Sequence, residues 1–147
     1  MDIKPLYMLE KSLQSRGHRM TKVRTSILGQ FLSAKIPLSA SDIQMKLSQD
    51  GFSTNKTTIY RELSAIRNAG IIKKIMFGDR NERYELAEDD HHHHLVCVSC
   101  KKIENIPLMK LEKRLDDEEF LISKKNHFKV MHHSLEFFGY CHTCQKL

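Results

Sequence analysis

Residues 91–100 read HHHHLVCVSC, and they lead directly into the first of two C-x-x-C pairs, Cys97 with Cys100 and Cys141 with Cys144. Four thiolates complete a tetrahedral zinc site and leave no open position, which is the arrangement of a structural site. In zinc-finger peptides such binding contributes on the order of 10 kcal/mol to folding. The pattern predicts a C-terminal module built around one zinc ion, with two free-thiol turns or a redox pair as the alternatives.

The histidines before that site favour a second metal site. Successive side chains of a strand face opposite sides, so His92 and His94 share one face, while His91 and His93 share the other. Imidazole binds zinc, iron, cobalt, nickel and copper. Candidates for the remaining ligands are Glu85, Glu104, Glu112, His132 and His133. A solvated histidine run is the alternative interpretation.

The length and composition allow one ordinary core or two small ones, since the chain has 147 residues and 40% of them are hydrophobic. No run reaches the length of a membrane span, and the first residues lack the layout of a secretory signal. We therefore expect a cytoplasmic protein. In that reducing compartment the cysteines are expected to bind metal rather than to form disulfides.

The basic charge lies in the first half of the chain. Residues 1–87 carry 15 Lys and Arg against 8 Asp and Glu (net +7), whereas residues 88–147 carry 9 against 10 (net −1). This asymmetry favours a polyanionic partner for the first half, although a solvated basic surface gives the same balance. The change in composition predicts two domains, residues 1–86 and residues 87–147.

The first domain is predicted to hold several helices and a β-hairpin. Thr21, the Ser39 and Asp42 capping box, and Asn55 mark helix starts, and each is followed by apolar residues at helical spacing. Residues 71–77 and 83–86 then read as two strands joined by a turn at residues 78–81. Helices followed by a hairpin indicate a winged helix, in which the last helix enters the major groove of DNA.

The start of that last helix carries the candidate DNA-binding residues. Arginine can contact guanine with two hydrogen bonds, tyrosine can contact a thymine methyl or a phosphate, and threonine and lysine suit phosphates. The candidates are Asn55, Lys56, Thr57, Thr58, Tyr60 and Arg61. An ordinary polar surface helix is the alternative.

Four segments together resemble the Fur (ferric uptake regulator) family. They are residues 57–63 (TTIYREL), 69–72 (AGII), 92–100 (HHHLVCVSC) and 133–141 (HSLEFFGYC). The resemblance spans nearly the whole chain. It implies an α+β protein with an N-terminal winged-helix DNA-binding domain and a C-terminal α/β dimerisation domain with a structural zinc site. It also implies a homodimeric, metal-responsive repressor that binds A/T-rich inverted repeats upstream of metal-uptake or stress genes.

The resemblance also implies roles for the metal ligands. The four cysteines correspond to the structural zinc site. The regulatory site corresponds to Glu85, His92, His94 and a carboxylate position occupied here by Glu104 and Asn105. A third site corresponds to His91, His93, Glu112 and His133. Two positions of the regulatory site depart from the family, because Pro37 replaces a frequent histidine and Asn105 replaces a frequent acidic residue.

The resemblance ranks the sensed metal in the order iron (Fur-like), zinc (Zur-like), and iron-dependent peroxide sensing (PerR-like), with manganese as a further candidate for the second ion. Zur proteins often add a cysteine where this chain has Leu86, and PerR proteins favour an aspartate at the position of Asn105. A metal-storage or redox protein is the alternative from another class. The sequence has neither a paired nucleophile and base nor a phosphate-binding glycine loop, so nothing in it points to an enzyme.

Overall fold

The computed structural model describes residues 5–87 and 92–146, with no side-chain description for residue 146. Two compact units make up the chain, Met1–Glu88 and Asp89–Leu147. We call them the N-terminal unit and the C-terminal unit. Within the described ranges, no helix is long and apolar enough to cross a membrane.

The N-terminal unit begins with helices whose starts are fixed by side-chain caps. Its helices are α1 (Leu6–Gln14), α2 (Lys22–Ser33), α3 (Ala40–Gln49) and α4 (Lys56–Asn68). The side chains of Thr21 and Asn55 accept hydrogen bonds from the backbone of α2 and α4, and Ser39 forms a reciprocal capping box with Asp42. These caps satisfy amide groups that a helix start leaves unpaired. The structure therefore confirms the three helix starts predicted at Thr21, Ser39 and Asn55.

One apolar core joins these helices. The side chains with no exposed surface share helical spacing on α1 to α4, and they are Leu13, Ile27, Leu28, Ile43, Leu47, Ile59, Leu63 and Ile66. After α4, Gly70 adopts a φ of 69°, a left-handed conformation that glycine reaches without steric cost. The chain can thus leave α4 and enter the hairpin at once.

A three-stranded antiparallel sheet completes the described part of this unit. Its strands are β1 (Leu38–Ser39), β2 (Ile72–Met76) and β3 (Glu82–Leu86), in the order β1-β3-β2. Asp79 accepts two hydrogen bonds of 2.9 Å from the Arg83 guanidinium, which also lies 5.5 Å from the centre of the Phe77 ring. Helices and hairpin together form the winged helix expected from the sequence.

The C-terminal unit is built on a second three-stranded sheet. Its strands are β4 (His93–Cys97), β5 (Ile103–Ile106) and β6 (Glu136–Gly139), in the order β5-β4-β6. The central strand β4 runs antiparallel to β5 and parallel to β6. Helix α5 (Met109–Asn126) lies between β5 and β6 in sequence, and a 3-10 helix (Cys144–Lys146) follows β6. The expected α+β class is confirmed.

Helix α5 has no buried side chain of its own. Large apolar side chains lie exposed on α5 and on β6. They include Met109, Phe120, Leu121, Ile122, Phe137 and Phe138. Where exposed apolar side chains gather into a patch, they commonly mark a surface that another protein covers.

Candidate metal centres and nucleic-acid interface

The two C-x-x-C pairs lie in tight turns that the sheet brings together. The first turn follows β4 and is closed by a hydrogen bond from Lys101 N to Cys97 O (3.0 Å), and the second follows β6 and is closed by one from Cys144 N to Cys141 O (2.9 Å). Strands β4 and β6 are parallel neighbours, with Cys97 opposite Gly139. Both turns therefore leave the same end of the sheet, and cysteine pairs separated by 40 residues in sequence meet there.

The sulfur positions fit a single tetrahedral ion. All four sulfurs lie within 4.8 Å of one another, and the Sγ atoms of Cys100 and Cys141 are 3.6 Å apart. Zinc–sulfur bonds of about 2.3 Å place the thiolates of a tetrahedral site roughly 3.8 Å apart. A disulfide would require about 2.05 Å. The thiols are free, and the donor set is that of a closed zinc site.

The protein itself favours the thiolate form of part of this cluster. Backbone N–H groups of Cys141 and Cys100 donate to the Cys97 sulfur and lower the pKa of its thiol to about 6. The N–H of Cys144 likewise lowers the pKa of Cys141. For Cys144 a hydrogen bond from Ser99 lowers the pKa, but the Cys141 thiol, burial and the other thiols together raise it to about 11. Four thiolates together therefore require a cation between them.

A second cluster combines His93, Glu112 and His133, whose ligand atoms also lie within 4.8 Å of one another. His93 opens β4 and is 2% exposed, Glu112 lies in the first turn of α5, and His133 precedes β6. Nε2 of His93 contacts Oε1 of Glu112, and Nε2 of His133 lies 3.5 Å from its Oε2. The two imidazole rings are stacked with centroids 5.8 Å apart. Two imidazoles and a carboxylate thus converge on one point.

The outer nitrogens of these histidines fix their protonation pattern. His93 Nδ1 lies 3.0 Å from the Leu135 carbonyl oxygen, and His133 Nδ1 lies 2.7 Å from Oε1 of Glu119. Carbonyl and carboxylate oxygens only accept, so each Nδ1 is the donor of its hydrogen bond and each Nε2 is the nitrogen that faces Glu112. Two ring nitrogens and a carboxylate that face one another form a set of donors that a cation can join. The residues present fit a divalent metal.

The sequence did not single out Glu119. The available signal was its distance from Glu112, because residues seven apart occupy the same face of a helix. His91, the fourth residue predicted for this site, lies outside the described residues. His132 is exposed.

The residues predicted for the regulatory site lie on β3, on β5, and on or just before β4. In the C-terminal unit the His92 and His94 rings meet edge to face at 5.0 Å, and Asn105 pairs directly with His94 across β4 and β5. Glu104 pairs with Leu95 and so lies on the other face of the sheet. It forms an exposed ion pair with Lys102 (2.6 Å). This register corrects the prediction for Glu104, which does not lie beside His94.

In the N-terminal unit Glu85, the other residue predicted for that site, lies on β3. Its side chain is 10% exposed and pairs with Lys73 at 3.1 Å. A buried carboxylate is costly unless it is paired with a cation. Lys73, directly across on β2, therefore stabilises the negative charge of Glu85.

The predicted DNA-binding residues lie on the first turns of α4. Lys56, Thr57 and Arg61 are exposed, Thr58 is half-buried, and the Tyr60 side chain is 47% exposed. Asn55 is committed to the helix start, because its Oδ1 accepts a hydrogen bond from Thr58 N (2.8 Å). The same turns therefore present basic, hydroxyl and aromatic groups to solvent.

A buried ion pair holds this helix from behind and was missed in the sequence. Arg24 Nε on α2 donates to Oε2 of Glu62 on α4 over 2.6 Å, and the two side chains are 11% and 9% exposed. The residues are 38 positions apart, so no local pattern signals the contact.

The Ferric uptake regulator family model matches residues 15–138. The chain belongs to this family. It is 31% identical to the Ferric uptake regulation protein of Bacillus subtilis over 92% of this chain and 91% of that protein. It is also 31% identical to the Peroxide-responsive repressor PerR of Staphylococcus saprophyticus over 91% and 87%. The structure of the ferric uptake regulator of Francisella tularensis with iron has a TM-score of 0.75 and 28% identity, with 88% and 96% coverage.

Membership of the Fur family assigns the general function. The chain is a metal-responsive transcription regulator with an N-terminal DNA-binding domain and a C-terminal dimerisation domain. Fur and PerR relatives match this chain equally well, so overall identity does not separate iron sensing from peroxide sensing.

Proposed function

We propose that this Fur-family chain is a cytoplasmic, iron-responsive repressor of metal-homeostasis genes that binds an A/T-rich inverted repeat as a homodimer. The observation that carries the proposal is the pairing of two different metal clusters in one unit. One cluster has four cysteine sulfurs, and the other has two imidazoles and a carboxylate. A closed site suits a permanent ion, whereas a site with open positions suits one that exchanges.

The four cysteines hold the structural zinc of the dimerisation domain, residues 87–147. Zinc there would join the turns after β4 and β6 and so fix the sheet. Little apolar core is available for this task, because α5 buries none of its side chains. Metal binding then supplies part of the folding free energy of the unit.

The second ion binds His93, Glu112 and His133. Their nitrogen and oxygen donors suit Fe²⁺, Zn²⁺ and Mn²⁺, and fewer than four described ligands leave positions for water or a further residue. The family resemblance assigns regulation to a different set of residues, and this assignment stays a prediction for Glu85, His92, His94 and Asn105. Glu104 is no longer included, because it pairs with Leu95 and faces the other side of the sheet.

DNA binding belongs to the winged-helix domain, residues 1–86. Tyr60 and Arg61 would reach base edges in the major groove, while Lys56, Thr57 and Thr58 would contact phosphates. A two-fold symmetric dimer matches an inverted repeat because each half-site meets one recognition helix. The exposed apolar side chains of α5 and β6 provide the surface that a second copy covers.

Metal controls repression through a difference in affinity between two conformations. An ion shifts the equilibrium only by binding the DNA-competent conformation more tightly, and coupling of this kind is typically about 1 to 3 kcal/mol. DNA then tightens metal binding by the same factor. Iron ranks before peroxide sensing because Asn105 stands where PerR proteins favour an aspartate, and before zinc because Leu86 stands where Zur proteins often have a cysteine.

The test pairs metal analysis with DNA binding. The operator is selected from randomised duplex DNA with the metal-loaded protein, and affinity is then measured at fixed salt. Tyr60→Ala and Arg61→Ala should each weaken operator binding by about 5- to 150-fold, given about 1 to 3 kcal/mol per base contact. Zinc content should stay unchanged. Lys110→Ala, an exposed change on α5, is the control. A storage or redox protein would select no sequence.

A further inference from the structure

We propose that Glu119 is a positioning residue of the second metal site, where it orients His133 so that its Nε2 is presented to the ion. The proposal rests on the second ion of the proposed function and adds a residue to it. Glu119 touches the histidine and not the ion. Its role is to fix which nitrogen of the ring is available.

The geometry places His133 between two carboxylates of one helix. Nε2 lies 3.5 Å from Oε2 of Glu112, and Nδ1 lies 2.7 Å from Oε1 of Glu119. The two glutamates are seven residues apart on α5, so both project from the same face of the helix. Each nitrogen of the His133 imidazole therefore faces one of the two carboxylates.

The two contacts have different chemistry. Glu112 also contacts His93 and lies at the point where the ligand atoms converge, so its carboxylate can bind the ion. Glu119 lies on the opposite side of the His133 ring, beyond reach of an ion held by Nε2. Metal-bound histidines usually donate their second N–H to a carboxylate or carbonyl, which fixes the tautomer and raises the basicity of the ligating nitrogen.

His93 shows the same arrangement with a different acceptor. Its Nδ1 faces the backbone carbonyl of Leu135 at 3.0 Å, which no substitution can remove. His133 relies on a side chain for the same support. Of these two histidine supports, the Glu119 carboxylate is the one that mutation can test.

The experiment compares Glu119→Ala and Glu119→Gln with Glu118→Ala in the full-length protein. Glu118 is the exposed neighbour of Glu119 on the same helix, so its removal changes the net charge equally. Protein with one zinc per chain is titrated with Co²⁺ against a competing chelator, and the absorption of bound Co²⁺ reports the ligand set. Glu119→Ala should weaken Co²⁺ binding at the second site by about 10- to 100-fold. Glu119→Gln, whose amide oxygen still accepts the N–H, should lose less.

A purely structural ion pair would behave differently. It would lower the unfolding temperature of the cobalt-free protein and leave the cobalt affinity equal to that of Glu118→Ala, and that result would overturn the role of Glu119. A wild-type protein that takes up no second ion overturns the second metal site together with this role. An unchanged zinc content of one per chain in all variants shows that the thiolate site is not the source of the difference.

Discussion

Arg24 Nε lies 2.6 Å from Oε2 of Glu62, and this ion pair joins α2 to the helix that carries the candidate DNA-binding residues. Both side chains are nearly buried, at 11% and 9% exposure, so water can do little to replace the partner of either charge. Removing one member of a buried pair leaves an uncompensated charge, whereas replacing both by apolar groups can be neutral. The pair therefore fixes how α4 sits on α2.

We expect Glu62→Ala to lower the free energy of unfolding of the N-terminal unit by about 3 kcal/mol, because it leaves the nearly buried Arg24 charge without its carboxylate partner. Urea unfolding followed by circular dichroism measures the change. Lys74→Ala breaks an exposed pair with Glu82 in the same unit and should cost below about 1 kcal/mol. Equal effects of the two changes would contradict the account, and Arg24→Met combined with Glu62→Leu should recover most of the loss.

Local signals in the sequence predicted most of the N-terminal unit. Caps at Thr21, Ser39 and Asn55 act through neighbouring amides, and the turn at Gly78 joins two adjacent strands, so short segments contain all the information. The ion pair between Arg24 and Glu62 depends on the packing of distant helices and leaves no local pattern.

For the C-terminal unit, the sequence indicated the metal ligands better than it indicated the arrangement of the strands. The cysteine spacing indicates a common site, but the parallel pairing of β4 with β6 places sequence-distant strands together. Helix α5 leaves no strong signal because its apolar residues, such as Phe120 and Leu121, face outward rather than toward a core. Glu104 was misplaced because a shift of one residue along a strand moves a side chain to the other face.

Cys100→Ser should reduce the zinc content from one ion per chain and should loosen the C-terminal unit, since one thiolate of the tetrahedral set is lost. Zinc released on denaturation and hydrogen exchange of residues 93–106 measure the two effects. Val98→Ala changes a side chain of the same turn that contributes no sulfur, and it should retain zinc. Retention of a full zinc equivalent by Cys100→Ser would contradict a four-thiolate site.

Asp79→Ala should free the Arg83 guanidinium and weaken operator binding severalfold while metal content stays constant. The hydrogen bond from Arg83 lowers the pKa of Asp79, so the pair is present at neutral pH and is lost only as the pH falls through that lowered value. Hydrogen exchange of residues 77–83, together with DNA affinity, measures the change. Asn81→Ala leaves the Arg83–Asp79 pair in place and is the control. Unaltered exchange in Asp79→Ala would show that the pair does not order the hairpin.

Phe137→Asp should shift the dimer toward monomer, because it places a charge on the exposed apolar surface of β6. A buried, unpaired charge costs several kcal/mol, so the dissociation constant should rise by at least 100-fold. Sedimentation equilibrium measures it. Lys129→Asp, an exposed change before β6, should leave the dimer intact, and a dimer unaffected by Phe137→Asp would place the interface elsewhere.

The most direct test of the central claim is the affinity of the zinc-loaded protein for its selected operator, measured without oxygen at fixed salt, with and without a second divalent ion. The account predicts that Fe²⁺ tightens binding by about 5- to 150-fold, which corresponds to a coupling of about 1 to 3 kcal/mol. An affinity that is the same with Fe²⁺, Mn²⁺, Co²⁺, Zn²⁺ or no added ion would contradict it.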